Sequence, residues 1–261
     1  GQNVWQSIGG QEIGSIWGHG AYVAPDWSAD YLHREALFML QARAKASFGR
    51  DYSALVPEEQ ASLQRWLQAE IRRNTYDPAT GAITVSVERA AAIAALDSYY
   101  AAIFGTATEF PADLQWLADA KKSPAALRES YAIARETIKD PARQRAMNTF
   151  FFWTAWACST SRPSVAGQTG PDVTYTSNWP SEPLIGNQPT GSMLMWSLVS
   201  VVLLLAGVGG LAWYRAKTHE EEPPSPPTTD PFKGMTLTPS MRAVLKYFWV
   251  VAALIVAQVG L

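Results

Sequence analysis

Cysteine is all but missing: Cys158 is the only one in 261 residues. A lone cysteine closes no internal disulfide. It also excludes Cys-x-x-Cys-His, the covalent haem attachment motif, and any multi-cysteine zinc or iron–sulfur site. Its neighbours are apolar, so a buried structural thiol is expected. Histidine is scarce too, with His19, His33 and His219 only. His19 and His33 could meet as ligands, but no carboxylate or cysteine stands at ligand spacing beside them, so hydrogen-bonded structural roles are expected. His219 falls in a polar Pro-rich stretch and reads as solvated. Neither charge sign is in excess, the formal net charge being −2, and nothing points to nucleic acid. Gly-x-x-x-x-Gly-Lys-Ser/Thr and Gly-x-Ser-x-Gly are both absent, which leaves phosphate-cradle and hydrolase-elbow chemistry without support.

Tryptophan, in contrast, is plentiful: 11 residues, suited to a dense core or to membrane interfaces. Hydropathy divides the chain. Residues 1 to about 190 read as a soluble domain. Met193 to Tyr214 follows without a charge, about 22 residues or about 33 Å of helix, enough for a hydrocarbon core of about 30 Å. Trp196, Trp213 and Tyr214 mark its ends. A second apolar run starts near Val244 and continues to Leu261. It reads as a further span cut short. Because the chain opens on Gly1 rather than Met, a trimmed N-terminus or a piece of a longer chain is expected. The divisions are 1–190 for an extracytoplasmic domain, 191–214 for a transmembrane helix, 215–241 for a Pro-rich loop and 242–261 for a second transmembrane helix. The loop carries Arg215, Lys217 and Lys233, with Arg242 and Lys246 at the next helix start, against Arg162 alone in the polar stretch before the first span. The positive-inside rule then makes the loop cytoplasmic and the large domain periplasmic.

Within the domain, helices are expected from Ser28 to about Phe48, Pro57 to about Asn74, Glu88 to Phe104, Ala112–Ala120, Pro124–Lys139 and Pro141–Cys158. Pro57 with Glu58 and Glu59 is a helix-opening pattern, and Gly105 is placed to stop a helix. Residues 82–88 alternate as a short strand or edge hairpin would. The run Phe150 to Cys158 is too short to cross a membrane and reads as a buried core helix. Residues 159–190, rich in Pro, Gly, Ser and Asn, read as an extended lead into the membrane. The densest stretch is Ser15 to Glu35. Gly18 and Gly20 flank His19 where positive φ or close backbone approach is useful. Asp26 or Ser28 can cap the helix that follows. His33, Arg34 and Glu35 read as a helix surface or a domain contact. The Gly18–Tyr22 turn is the best binding candidate, since glycines let carbonyls face outward and hard cations take oxygen ligands.

Gly18-His-Gly-Ala-Tyr-Val-Ala-Pro-Asp-Trp-Ser-Ala-Asp-Tyr-Leu-His-Arg-Glu35 resembles the start of the extracytoplasmic domain of quinol-dependent nitric oxide reductases, in the haem-copper oxidase superfamily. Phe150 to Cys158 and Val173 to Leu184 resemble the same family, so the matched segments bracket most of the first 190 residues. The resemblance implies a mainly α fold: a haem-less cytochrome c-like helical domain followed by transmembrane helices. It implies the N-terminal part of a membrane oxidoreductase that reduces two NO to N2O and water with electrons from quinol. Two b-type haems, non-haem iron and calcium belong to the parent enzyme, and this chain binds none of its cofactors covalently. The catalytic helices lie beyond Leu261, so no catalytic and no cofactor-binding residue is assigned here. The backbone carbonyls of Gly20 and Tyr22 are the expected contribution to calcium. Expected partners are membrane lipid, quinol and the downstream catalytic domain of the same polypeptide, with a homodimer among the assemblies allowed. The expected location is the bacterial inner membrane. The alternative is a non-catalytic, membrane-anchored binding or assembly module.

Overall fold

The computed structural model describes residues 1–118, 122–163, 173–188, 191–218 and 239–259. The chain is mainly helical and divides into two compact units, Gly1–Pro189 and Thr190–Leu261.

The first unit is built on three long helices that pack on one another: α2 (Trp27–Phe48), α4 (Val87–Phe104) and α6 (Pro141–Ser159). A short α1 (Gln2–Ser7) lies on α6, and α3 (Pro57–Arg72) lies on α2. Each long helix opens with local chemistry. The Asp26 carboxylate accepts from Ala29 N at the start of α2, and Ser86 Oγ accepts from Arg89 N at the start of α4. Asp140 does the same for Ala142 N ahead of α6, where Pro141 costs no hydrogen bond at the first position. On α3 the Glu59 carboxylate reaches back to Val56 N at 3.2 Å. Two small antiparallel hairpins complete the unit: β1 (Ser15–Ile16) with β2 (His19–Gly20), and β3 (Tyr76–Asp77) with β4 (Ala82–Ile83). The second of these is the expected edge hairpin.

Aromatic rings fill the space where the three helices meet. Trp27 is fully buried and stacks on Phe151 at 5.6 Å between centroids. Trp5, Tyr100, Phe104 and Tyr131 surround it at 5.2 to 6.2 Å, mostly edge-on. Such contacts add about 0.5–1.5 kcal/mol each beyond area burial.

Two helices are shorter than their sequence pattern predicts. Residues 112–120 form no α-helix among those described; a 3-10 turn at Gln115–Leu117 stands in its place. There the Leu117 carbonyl is taken by Arg34 and the Trp116 indole turns back onto Asp113 O, so helical bonds give way to side-chain partners. The helix expected over 124–139 stops as α5 (Pro124–Ser130). Beyond it the backbone caps α4. Glu136 N donates to Gly105 O at 2.9 Å, Ile138 N to Phe104 O at 3.1 Å, and Arg128 to the carbonyls of Ala102, Ile103 and Ala107. Helix ends leave carbonyls without partners, and satisfying buried ones outweighs two more turns of helix.

The stretch 159–190 is a larger correction. Its described part, 173–188, is not an extended lead but a strap folded onto the domain. Tyr175 N and Thr176 N donate to Ala157 O, Gln68 donates to Leu184 O, and Arg72 to Gly186 O. Four of the strap's own side chains, Asn178, Glu182, Ile185 and Asn187, are buried.

The second unit holds α7 (Gly191–Thr218) and α8 (Pro239–Val259), which touch each other. Leu194–Thr218 is long and apolar enough to cross a membrane, and it buries none of its apolar window in protein. It is the one such helix among the described residues. Helix α7 runs past the expected boundary at 214. Arg215 and Lys217 sit in its last turn, where cations favour the helix dipole. Most of the Pro-rich loop and His219 lie outside the described residues, as do the last two residues of the second expected span.

Candidate functional site

The Ser15–Glu35 stretch folds into a braced hairpin feeding a helix. Ser15 pairs with Gly20 and Ile16 with His19, leaving Trp17 and Gly18 as a two-residue turn. Both turn residues have positive φ, 53° and 78°, the pattern of type I′ hairpins. For Gly18 this carries no steric penalty. For Trp17 it costs about 1–2 kcal/mol, and three contacts hold it there. Trp17 N donates to Ser28 Oγ at 3.2 Å, its indole donates to Thr154 O at 2.8 Å, and its ring lies 5.3 Å from Trp153.

The brace is Asp26. One carboxylate oxygen accepts from Ser15 Oγ at 2.8 Å and from Gly18 N at 2.6 Å. The other accepts from Ala29 N at 3.0 Å and from the Ser28 hydroxyl. A single buried side chain therefore caps α2 and pins the hairpin across it. Of the two expected caps Asp26 takes the role, and Ser28 becomes its donor. The hairpin's far side is fixed by Ala21 N donating to Gln11 O at 2.7 Å.

Gly20 sits at φ 142°, and a Cβ there would meet Gly14 O at 2.3 Å. Only glycine fits. Two residues on, the Tyr22 side chain is 85% exposed. Gly20 and Tyr22 thus lie at the surface of the domain, with Ala21 between them half-buried.

The histidines do not converge. His19 lies exposed on β2. His33 Nδ1 lies 2.7 Å from Glu182 Oε2 on the strap, and this bond, more than any other influence, raises the imidazole above its ordinary value. No group of three or more His, Cys, Asp or Glu side chains suited to a metal ion occurs among the described residues. Cys158 is buried, and burial pushes its thiol up, so it stays protonated and inert.

Arg34 and Glu35 correct the expectation of an exposed or docking segment, because both are buried. Arg34 bridges Asp30, the Leu117 carbonyl and the Tyr99 ring. Burial pulls its guanidinium down, but Asp30, Tyr99 and Tyr100 together outweigh it, so it holds its proton more tightly than usual. The Tyr100 hydroxyl donates to the same Asp30 at 2.7 Å. Glu35 accepts two bonds from Arg89, at 2.8 and 3.2 Å, and the Arg89 guanidinium stacks over Phe152. The Glu35–Arg89, Asp30–Tyr100 and Arg34–Tyr99 contacts tie α2 to α4, a role that a run of charged residues cannot announce in one dimension.

A surface cleft of 820 Å³ is lined by Glu109, Phe110, Trp116, Lys122 and Ser123 among others, and the Ser123 hydroxyl is engaged as the cap of α5, accepting from Ala126 N at 3.2 Å. The Ser15–Glu35 stretch thus presents a braced hairpin at the start of α2. Residues 1–181 match the family model for the NorB cytochrome c-like domain of nitric oxide reductase. No curated protein matches the chain.

Proposed function

Because the chain belongs to the NorB family of nitric oxide reductases through its cytochrome c-like domain, we propose that it is the N-terminal part of a membrane enzyme reducing two NO to N2O and water with quinol as donor. One observation carries this: the family's domain over residues 1–181 is followed at once by a helix apolar and long enough to span a bilayer. The chain's own contribution is binding and positioning. Its single cysteine leaves no covalent haem attachment, and the space among α2, α4 and α6 is packed with Trp27, Tyr100, Phe104 and Phe151. A domain without its own haem suits electrons that arrive from quinol within the membrane. The Lys and Arg bias favours a periplasmic domain on the bacterial inner membrane.

The calcium proposal fits the hairpin in part. Gly20 and Tyr22 are exposed residues, so their carbonyls would be within reach of a cation at the surface, but calcium takes six to eight oxygens. Two carbonyls are a fraction of that set. The chain would supply one edge of the site, and the haem-bearing domain the rest. When bound there, calcium would supply positive charge to neighbouring anionic groups.

NO consumption by membranes carrying the full-length protein tests the reading. Turnover should need quinol and should not be supported by reduced soluble cytochrome c. The competing reading, an anchored module without catalysis, draws on the lack of a metal-ligating cluster among the described residues. It predicts no NO turnover at all.

A further inference from the structure

We infer that His33 and Glu182 form a pH-sensitive latch on the strap, the last segment of the domain before the chain enters α7. The latch does not depend on the NO chemistry, and three features of the contact support it.

First, the partners are unlike. Glu182 is 5% exposed, whereas the His33 side chain is 43% exposed. Solvent protons reach the imidazole, while the carboxylate depends on it for countercharge. Second, Glu182 is where the strap is organised. Its other oxygen accepts from Leu184 N at 3.0 Å, and its own N–H donates to Asn187 Oδ1 at 2.7 Å. Asn187 in turn donates to Cys158 O on α6 and to Asn178 on the strap, both at 2.9 Å. One ionic contact therefore terminates a network that fixes residues 178–187 to the domain.

Third, few other charges act at this point. Within 173–188 the titratable side chains are Glu182 and Tyr175, and the Tyr175 hydroxyl is already bonded to Asn74. On α2, Asp30 and Arg34 flank His33 with opposite effects and are paired with each other. From α3 come the neutral Gln68 amide on Leu184 O and Arg72 on Gly186 O. From α6 come backbone carbonyls and the Cys158 thiol, which burial keeps neutral. No second cation pairs with Glu182 among the described residues.

The imidazole sets the direction of the response. Its folded value is raised by Glu182, so the latch is complete below about 6.5, the ordinary histidine value. It weakens as pH rises through the raised folded value. Neutral His33 can still donate a hydrogen bond, but the buried carboxylate then loses its countercharge, which is costly. The strap opens more often while the aromatic core stays closed, as local opening allows.

Hydrogen–deuterium exchange of the full chain in detergent tests this, corrected for the intrinsic pH dependence of exchange. Between pH 6 and pH 8.5 the protection of peptides covering 178–188 should fall severalfold, in the direction set by the raised His33 imidazole. Peptides from α4 should keep theirs. In His33→Gln the strap should exchange faster at pH 6 and show no such pH dependence. Glu182→Gln keeps the oxygen that Leu184 uses and should also flatten the profile. A flat profile in the wild-type chain would overturn the latch, as would a His33→Gln profile that matches the wild type.

Discussion

At the scale of single residues, Asp26 carries the most structure per atom. Its carboxylate gathers four donors from two elements that would otherwise part. Asp26→Ala removes a helix cap, about 1 kcal/mol, and leaves buried donors unpaired at about 1–3 kcal/mol. The expected loss is about 2–4 kcal/mol in the unfolding of the chain followed by tryptophan fluorescence, and Asp26→Asn should lose less. Gly20 gives a different result. Gly20→Val should disrupt the hairpin whether or not calcium is present, because the new Cβ strikes Gly14 O. Loss of activity in that variant would not by itself report on calcium. Glu35 and Arg89 are the third case. Glu35→Gln leaves Arg89 buried beside a neutral partner and should cost about 3–5 kcal/mol. Replacing both, Glu35→Leu with Arg89→Met, should recover most of it, as a double-mutant cycle by urea unfolding would show.

At the scale of elements, the sequence was most legible where local and tertiary forces agree. Helices α2, α3, α4 and α6 appear close to their expected limits because Asp26, Pro57, Ser86 and Asp140 with Pro141 start them chemically. Legibility failed where a backbone group found a distant partner. The end of α5 is the clearest example: periodicity favours helix through Lys139, but the carbonyls at the end of α4 need donors, and residues 128–138 supply them. Arg128→Ala should therefore unravel more than its own turn. It leaves three carbonyls of the 102–107 region short of donors, and we expect a loss of about 2–4 kcal/mol with faster hydrogen exchange across 131–138. The strap was unreadable for the same reason. Its Pro, Gly and Asn content describes a loop correctly, but nothing in that composition tells that Asn187 and Glu182 are buried. The site was half legible. Gly18 and Gly20 disclosed a turn with positive φ, whereas Trp17 at positive φ and the four-donor role of Asp26 are set by contacts with Thr154, Ser28, Ser15 and Gly18 that no local pattern encodes.

At the scale of the whole molecule, the chain joins a helical domain, with no cluster of three or more metal-ligating side chains among its described residues, to an apolar helix suited to a bilayer. Such a part acts through what it holds. If Gly20 and Tyr22 contribute two carbonyls to a shared calcium, this chain alone should bind no calcium at micromolar concentration by calorimetry. The full-length enzyme should retain it through gel filtration and lose haem when treated with a strong chelator. Retained calcium in the isolated chain would mean that the site is complete within it. The central claim is the enzyme itself. Its most direct measurement is NO uptake at an electrode by membranes holding the full-length protein, supplied with a reduced quinone analogue. The account predicts quinol-dependent NO loss with one N2O formed per two NO consumed. Membranes that hold the protein, are loaded with haem and iron, and consume no NO above the background of membranes lacking it would contradict the account.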